Sequence, residues 1–157
     1  MTEAATSEKE QIPVITVATT RFGTIEVDPG KIITFSTPFL GFPESRRFVL
    51  RPHGKDSPFF WLQSLENPDL AFVTINPALI APTYQPNVLS LAREELDIDA
   101  ADKLEILVIL TIPKGNFQAM TANLLGPVVI NPAKRLARQV LLDPIHYDPC
   151  WQVFQEQ

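Results

Sequence analysis

The sequence predicts a mostly β fold, a single-domain barrel- or sandwich-like structure of about ten short strands with one or two short helices. Three observations support this prediction. The chain has 157 residues, of which 45% are hydrophobic and 20% charged, and this suits one globular domain with its own core. Its 15 prolines are spread between apolar runs, and proline collects at strand ends and in loops. The turn signals recur at intervals too short for long helices.

Individual strands are predicted from β-branched and aromatic runs bounded by turn residues. We expect strands at residues 14–18, 24–27, 31–35, 47–51, 59–64, 70–75, 104–112, 120–125, 128–130 and 136–142. The run 104–112 is apolar on both parities apart from Glu105 and Thr111, which predicts a central strand covered on both faces. Residues 28–30 read Asp-Pro-Gly and predict a turn, because proline fixes φ and glycine accepts positive φ.

Residues 87–96 are the best helix candidate. Their apolar side chains fall on one helical stripe, at Val88, Leu91, Ala92 and Leu96. Residues 99–103 are a candidate for one further helical turn. Two predicted strands end alike on Ile-Asn-Pro, at residues 75–77 and 130–132. An internal duplication would explain this, but we favour the simpler interpretation that Asn-Pro is a common strand terminator.

The polar N-terminus is predicted to be a disordered tail of residues 1–12, followed by one β domain at 13–143 and a C-terminal tail at 144–157. A single cysteine, Cys150, excludes an intramolecular disulfide and suits a reducing compartment. The N-terminus has no secretory signal pattern, and no apolar run is long enough to span a bilayer. We therefore expect a cytoplasmic protein with no membrane partner.

The charge balance favours protein partners over nucleic acid. The formal net charge is −5, and the 13 basic residues are scattered, with no grouping larger than the pairs Arg46-Arg47 and Lys134-Arg135. A direct nucleic-acid partner is therefore not expected, and long-range attraction points to basic partners.

The sequence is poor in groups that could catalyse a reaction. It lacks nucleophile-elbow, phosphate-loop, dinucleotide and paired-cysteine motifs. His146, Asp148 and Cys150 would share one face of an extended segment, but zinc normally takes four ligands, and no second cysteine or nearby histidine completes the set. Adjacent Glu94 and Glu95 point away from each other on a helix, which favours a solvated face over a paired-carboxylate site. We expect no catalytic residue, no metal and no cofactor.

The remaining candidates are interaction residues. Phe39, Leu40 and Phe42 lie in a loop rich in proline and glycine, where they would either anchor a partner or plug the end of the barrel. An acidic side is predicted from Glu66 and Asp69 in a tight turn and from Glu94, Glu95, Asp97, Asp99 and Asp102 after it. This side would be either a solvated surface or a docking face for a basic protein.

Several motifs, in the right order and spacing, resemble the FliW family of flagellar assembly factors. They are TRFGTIEV at 20–27, FLGFP at 39–43, FWLQSLENPDLAF at 60–72, LVILTIP at 107–113, TANLLGPVVIN at 121–131 and RQVLL at 138–142. The resemblance covers about residues 20–143. The sequence departs from the expected family pattern at Gly126, where we expect alanine, and at Ala137, where we expect glycine.

The resemblance implies a small β-barrel-like cytoplasmic protein with two protein partners, flagellin and the RNA-binding translational regulator CsrA. It implies that the protein is chaperone-like toward flagellin and relieves the repression of flagellin translation by CsrA. It also implies no catalytic residue and no cofactor, and we expect a monomer in the free state. Two alternatives stay open: a structural subunit of a larger assembly, and a small β-barrel enzyme with an unrecognised carboxylate site.

Overall fold

The structure, a computed structural model, describes residues 14–39 and 41–155, so the predicted N-terminal tail and Leu40 lie outside the described residues. The strands are β1 (Ile15–Thr19), β2 (Gly23–Val27), β3 (Ile33–Phe35), β4 (Arg47–Pro52), β5 (Phe59–Ser64), β6 (Ala71–Ile75), β7 (Glu105–Thr111), β8 (Thr121–Ala122), β9 (Val128–Asn131), β10 (Leu136–Gln139) and β11 (Trp151–Gln152). One short helix, α1 (Leu89–Ala92), and 3-10 turns at Pro29–Lys31, Pro77–Leu79 and Phe117–Ala119 complete the described secondary structure.

Seven strands close into a barrel in the order β7, β6, β5, β4, β3, β10, β9 and back to β7. The strand pairs are antiparallel except β10 with β3, which run parallel. Closure depends on β7, whose first half pairs with β9 and whose last two residues pair with β8. The predicted mostly β barrel is confirmed, and the predicted central strand at 104–112 is the strand that closes it.

The barrel interior is filled by side chains that alternate along each strand. They include Ile33 and Phe35 of β3, Phe48 of β4, Leu62 of β5, Leu107 of β7, Val128 and Ile130 of β9, and Ala137 of β10. Alternation along a strand sends one parity inward, so these positions form one apolar core. The middle of β7 is buried on both parities, at Leu107 and Val108, as predicted for a strand covered on both faces.

The hairpin β1–β2 packs outside the barrel, on the outer face of β4. Val17, Ile25 and Val27 bury against Val49. Gly23 takes φ +70 in the hairpin turn, a conformation in which glycine has no Cβ penalty. The predicted turn at 28–30 is present as a 3-10 turn, in which the side chain of Asp28 accepts a hydrogen bond from Gly30 N at 2.8 Å. Gly30 itself does not use positive φ.

A cation–aromatic cluster fastens the same hairpin to the barrel. The guanidinium of Arg21 lies 4.1 Å from the ring centre of Trp61, and the ring of His53 stacks on Trp61 at 6.1 Å. The guanidinium of Arg51 lies 4.8 Å over the ring of Phe22. Such contacts are worth roughly 0.5–1 kcal/mol each at exposed sites. They join residues from the hairpin turn to neighbouring strands β4 and β5.

The predicted helix at 87–96 is shorter in the structure. Only Leu89–Ala92 is helical, and turns continue to Asp97, which takes φ +50. The helix has no side-chain hydrogen bond at its N-cap, Val88, and the two acidic residues that follow its end, at 94 and 95, oppose the helix dipole. The predicted buried stripe is wrong only at Leu91, which is 46% exposed. Residues 99–103 form a turn and not a helical turn of their own.

The C-terminal residues add to the sheet. In the predicted tail, 144–157, the strand β11 pairs with β8, and Val153 N donates a hydrogen bond to Met120 O at 3.1 Å. Trp151 and Val153 also pack against the apolar cluster that contains Met120. Two paired residues give almost no alternation to detect, so the sequence did not predict this strand. No helix among the described residues is both long and apolar enough to cross a membrane.

The two Asn-Pro strand ends are structurally different. Asn76 is exposed and its side chain accepts a hydrogen bond from Ala78 N at 2.9 Å, which caps a 3-10 turn. Asn131 is fully buried and its side-chain nitrogen donates to Leu96 O at 2.9 Å. The two asparagines thus share a strand-ending position but not a set of contacts.

Gly126 lies against the end of the Gln139 side chain, which would have to shift to admit a Cβ. A Cβ at this position would lie 2.8 Å from the side-chain nitrogen of Gln139. That nitrogen donates a hydrogen bond to Gly126 O at 3.0 Å. The glycine at this departure from the expected pattern is therefore matched to the contact made by Gln139.

Candidate functional site

The apolar loop of residues 37–43 closes one end of the barrel through Phe39. The Phe39 side chain is only 5% exposed, and its ring centre lies 4.8 Å from Phe35, 5.5 Å from Phe48 and 4.7 Å from Phe72. Of the two interpretations considered for this loop, the structure shows the plug for Phe39. The prediction of Phe39 as a partner anchor is corrected, because its ring packs inside the core and is not accessible to a partner.

Phe42 lies on the surface side of the same loop. It is 36% exposed and meets Phe72 edge-on, with 6.0 Å between ring centres. Gly41 takes φ +91 and turns the chain between the two phenylalanines, so one ring faces inward and the other outward. Phe42 lines a surface cavity of about 430 Å³ formed by residues 41–45 and 66–68, which we call the loop pocket.

Glu66 forms the acidic side of the loop pocket and anchors the start of β4. Its carboxylate accepts hydrogen bonds from Arg46 N at 2.9 Å and Arg47 N at 3.0 Å, and it pairs with Arg47 Nε at 2.6 Å. Partial burial alone would raise the pKa of Glu66, but hydrogen bonds from Arg47 and Arg46 and the charge of Arg47 together lower it. Glu66 is therefore ionised and held in a fixed position next to Phe42.

Asp69 lies in the turn after Glu66 and links it to the hairpin. The side-chain hydroxyl of Thr20 donates a hydrogen bond to the Asp69 carboxylate, and Thr20 N donates to Pro68 O at 2.9 Å. The exposed carboxylate of Asp69 therefore also has a structural partner.

The second part of the predicted acidic side surrounds one lysine. The ammonium of Lys134 lies 3.0 Å from a carboxylate oxygen of Asp99, 3.2 Å from Asp102 and 3.8 Å from Asp97. It also donates to the backbone oxygen of Asp97 at 2.7 Å. Lys134 makes the net negative charge of this segment smaller than the sequence implies, because its positive charge offsets one of the three carboxylates.

Asp102 is the least exposed of these carboxylates, at 10% of its side-chain surface. A hydrogen bond from Asp99 N, then one from the side chain of Asn131, then Lys134 lower the pKa of Asp102 against the opposing effect of burial. The pKa of Lys134 is raised, above all by its hydrogen bond with the Asp99 side chain and then by the carboxylates of Asp102 and Asp97, against the opposing effect of burial. Asp102 was predicted as part of the acidic side, but its partners Asn131 and Lys134 were not, because nothing local reveals a contact between residues about 30 positions apart.

We expect the free energy of unfolding to fall as pH drops below 3.8, the ordinary pKa of an aspartate. The folded-state pKa of Asp102 is lower than the unfolded-state value, so its stabilisation is complete above the unfolded pKa and is lost as pH falls through the folded pKa. Asp102→Asn should make urea-unfolding free energies depend less on pH between about pH 5 and about pH 2. Asp56→Asn, in an exposed loop, is the matched control, and equal pH profiles for the two variants would contradict the assignment.

The two acidic regions are joined across the barrel surface. Glu95 accepts a hydrogen bond from the hydroxyl of Ser36 at 2.8 Å and pairs with Arg138 Nε at 3.2 Å. The guanidinium of Arg46 donates to Ser36 O at 3.0 Å, and Arg46 N donates to Glu66. We call the seven predicted carboxylates the acidic face: Glu66, Asp69, Glu94, Glu95, Asp97, Asp99 and Asp102.

The acidic face is mixed in charge and not purely acidic. Basic side chains lie among its carboxylates at Arg46, Arg47, Lys134 and Arg138. Glu94 and Asp69 are exposed and make no ion pair with the part of the chain that the structure describes, but Asp69 accepts a hydrogen bond from Thr20 and Glu94 has no such contact. The charge of Glu94 is therefore the most available to a basic partner.

The structure assembles no metal site from the residues it describes. In 14–39 and 41–155 there is no group of three or more His, Cys, Asp or Glu side chains arranged to hold an ion. In the segment singled out from the sequence, the carboxylate of Asp148 accepts a hydrogen bond from Cys150 N at 2.8 Å. His146 approaches Asp143 instead, at 3.9 Å.

Comparisons with known proteins agree on one family. The sequence model described as "FliW protein" matches residues 16–153. The flagellar assembly factor FliW of Magnetococcus marinus is 42% identical over 122 residues, which is 78% of this chain and 75% of that protein. The factor of the same name from Natranaerobius thermophilus is 37% identical over 141 residues, 90% of this chain and 93% of its own.

A solved structure extends the similarity to the fold. The crystal structure of a flagellar assembly factor FliW superposes with a TM-score of 0.83 at 37% sequence identity, over 91% of this chain and 99% of that one. The match to the family model ends at residue 153, ten residues beyond the domain boundary predicted at 143. The matched region therefore includes β11.

Proposed function

Because the chain belongs to the FliW family of flagellar assembly factors, we propose that it is a cytoplasmic, monomeric binding protein with two partners, flagellin and CsrA. It would hold flagellin as a chaperone-like partner and, by binding CsrA, relieve repression of flagellin translation. One observation carries the surface assignment: Glu66 belongs both to the loop pocket and to the acidic face. The two partners would therefore bind adjoining surfaces.

The loop pocket suits the apolar side of an amphipathic segment. Unassembled helices expose apolar stripes, and the grooves that bind such helices do so mainly through a few aromatic or aliphatic anchor residues. Phe42 provides an exposed ring supported from behind by Phe72, and Glu66 provides a fixed negative charge beside it. We assign the flagellin contact to this pocket.

Phe42→Ala is expected to weaken flagellin binding by roughly tenfold or more, the size seen when a central aromatic anchor is truncated. The measurement is titration calorimetry with purified flagellin, after circular dichroism has shown that the variant is folded. Phe117→Ala is the matched control, because Phe117 is also an exposed phenylalanine, at 49%, and lies outside the loop pocket. Unchanged flagellin affinity in a folded Phe42→Ala variant would remove the pocket from the proposal.

The acidic face suits a basic RNA-binding partner. A negative surface attracts such a protein over about 10 Å at ordinary ionic strength and disfavours RNA phosphates at the same place.

We expect the affinity for CsrA to fall as salt rises. Glu94→Lys should weaken it roughly two- to fivefold at low salt, the effect of an exposed charge. Glu26→Lys makes the same charge change on the hairpin and is the control.

Mixing the purified protein with flagellin and with CsrA, singly and together, tests the whole proposal. Size-exclusion chromatography should show co-elution with each partner. Release of CsrA on addition of flagellin would support the chaperone and regulatory roles together. The proposal fails if neither partner co-elutes with the folded protein.

A further inference from the structure

The two ends of the barrel are built differently. At the end where β3 finishes and β4 begins, Phe39 fills the opening. At the other end, where β4 finishes at Pro52 and β5 begins, the barrel opens into a cavity of about 520 Å³ that we call the barrel mouth. Barrel mouths of this size are common places for small ligands, which occupy clefts of roughly 300–1,000 Å³.

The floor of the barrel mouth is apolar. Ile33 and Ile130 belong to the main core cluster, and Leu50 packs against it. The ring of Phe60 is half-buried and forms one wall, shared with a neighbouring cavity of about 550 Å³. A ligand here would remove apolar surface from water without opening the core.

The rim of the barrel mouth is charged, with Lys31 and Arg135 on one side and Glu105 on another. Arg135 has φ +56, a backbone conformation that usually selects glycine or asparagine, and its guanidinium donates to Gly30 O at 3.4 Å. That contact holds the guanidinium beside the 3-10 turn that ends in Lys31. Neither cation forms an ion pair with the described part of the chain, and two positive charges outweigh one negative charge.

We propose that the barrel mouth binds a ligand with an apolar body and a single carboxylate, the body lying on Ile33, Leu50 and Phe60. The carboxylate lies between Lys31 and Arg135, where a guanidinium offers paired donors to an anion. This site is separate from the loop pocket, and the proposal does not depend on flagellin or CsrA. The ligand is either a free aliphatic carboxylate or the carboxyl terminus of a chain that ends in an apolar residue.

The test is a titration of the full ¹⁵N-labelled protein with octanoate, octylamine and octanol, followed by amide chemical shifts. Octanoate should shift the amides of Gly30 and Ile130 and leave Gly115, on a distant loop, unchanged. The amine and the alcohol should bind more weakly. A short peptide ending in leucine, with a free or an amidated terminus, distinguishes the second source: binding of the free form alone, with no octanoate binding, assigns the site to a chain end.

Charge variants give effects of opposite sign. Lys31→Gln and Arg135→Gln should each weaken the anionic probe roughly two- to fivefold, as expected for partly exposed charges. Glu105→Gln should strengthen it by a similar factor, and Lys55→Gln, on the loop after β4, should change nothing. The proposal is overturned if neither octanoate nor the free peptide shifts the mouth amides, if octylamine binds as well as octanoate, or if Glu105→Gln weakens binding.

Discussion

Phe39→Ala is expected to lower the free energy of unfolding by about 3–5 kcal/mol, the range for truncating a buried phenylalanine. The ring is 5% exposed and touches three other rings, so its removal loses both apolar burial and aromatic contacts and leaves a cavity between them. For a domain with a stability of about 5–15 kcal/mol, this is a large fraction.

Phe42→Ala, three residues later in the same loop, is the control that distinguishes loss of the buried Phe39 ring from a general disturbance of the loop. Its ring is 36% exposed and has one aromatic neighbour, Phe72, so the loss should stay near about 1 kcal/mol. Urea unfolding followed by tryptophan fluorescence measures both. Equal losses for the two variants would mean that Phe39 does not plug the barrel, and the interpretation of this loop would then reverse.

The described strands other than β11 were predictable because alternation and proline spacing are local. Residues 59–64 were predicted to the residue, since aromatic side chains and flanking turns define both ends. The parallel pair of β10 with β3 was not predictable, because it joins residues about 100 positions apart and nothing in either strand encodes the partner. The pairing of β7 with both β9 and β8, which closes the barrel, was not predictable for the same reason.

The candidate site was predictable as residue types and not as an arrangement. The sequence indicated an apolar loop and several carboxylates, but it left open whether Phe39 pointed inward. The answer depends on Gly41, whose positive φ sends the two rings of the loop to opposite sides. Likewise Lys134 neutralises part of the acidic face from a turn about 35 residues away, which a count of charges along the chain does not reveal.

Asn131→Asp is expected to cost about 3–5 kcal/mol near neutral pH, the cost of an uncompensated buried charge. Asn131 is fully buried, and its side-chain nitrogen donates to Leu96 O at 2.9 Å and to the Asp102 carboxylate at 3.0 Å. Replacing that donor with an oxygen brings two carboxylates and a carbonyl together. The single side-chain oxygen of Asn131 has no hydrogen-bond partner in the described structure, so no donor is in place for the second oxygen of the introduced carboxylate.

The pH dependence of this variant should be opposite to that of an ordinary aspartate. Burial and the charge of Asp102 raise the folded-state pKa of the introduced carboxyl, so the destabilisation is present above that pKa and disappears as the group is protonated at lower pH. Unfolding free energies from urea titrations should therefore approach those of the parent protein on acidification.

Asn76→Asp is the matched control, at the other Asn-Pro strand end. Its exposed side chain accepts a hydrogen bond from Ala78 N, a role that a carboxylate fills as well, so we expect little change. Similar losses at the two positions would show that the asparagine is needed as a strand terminator. A loss confined to Asn131 would show that it acts through its contacts with Leu96 and Asp102, which hold the loop after α1 against the barrel.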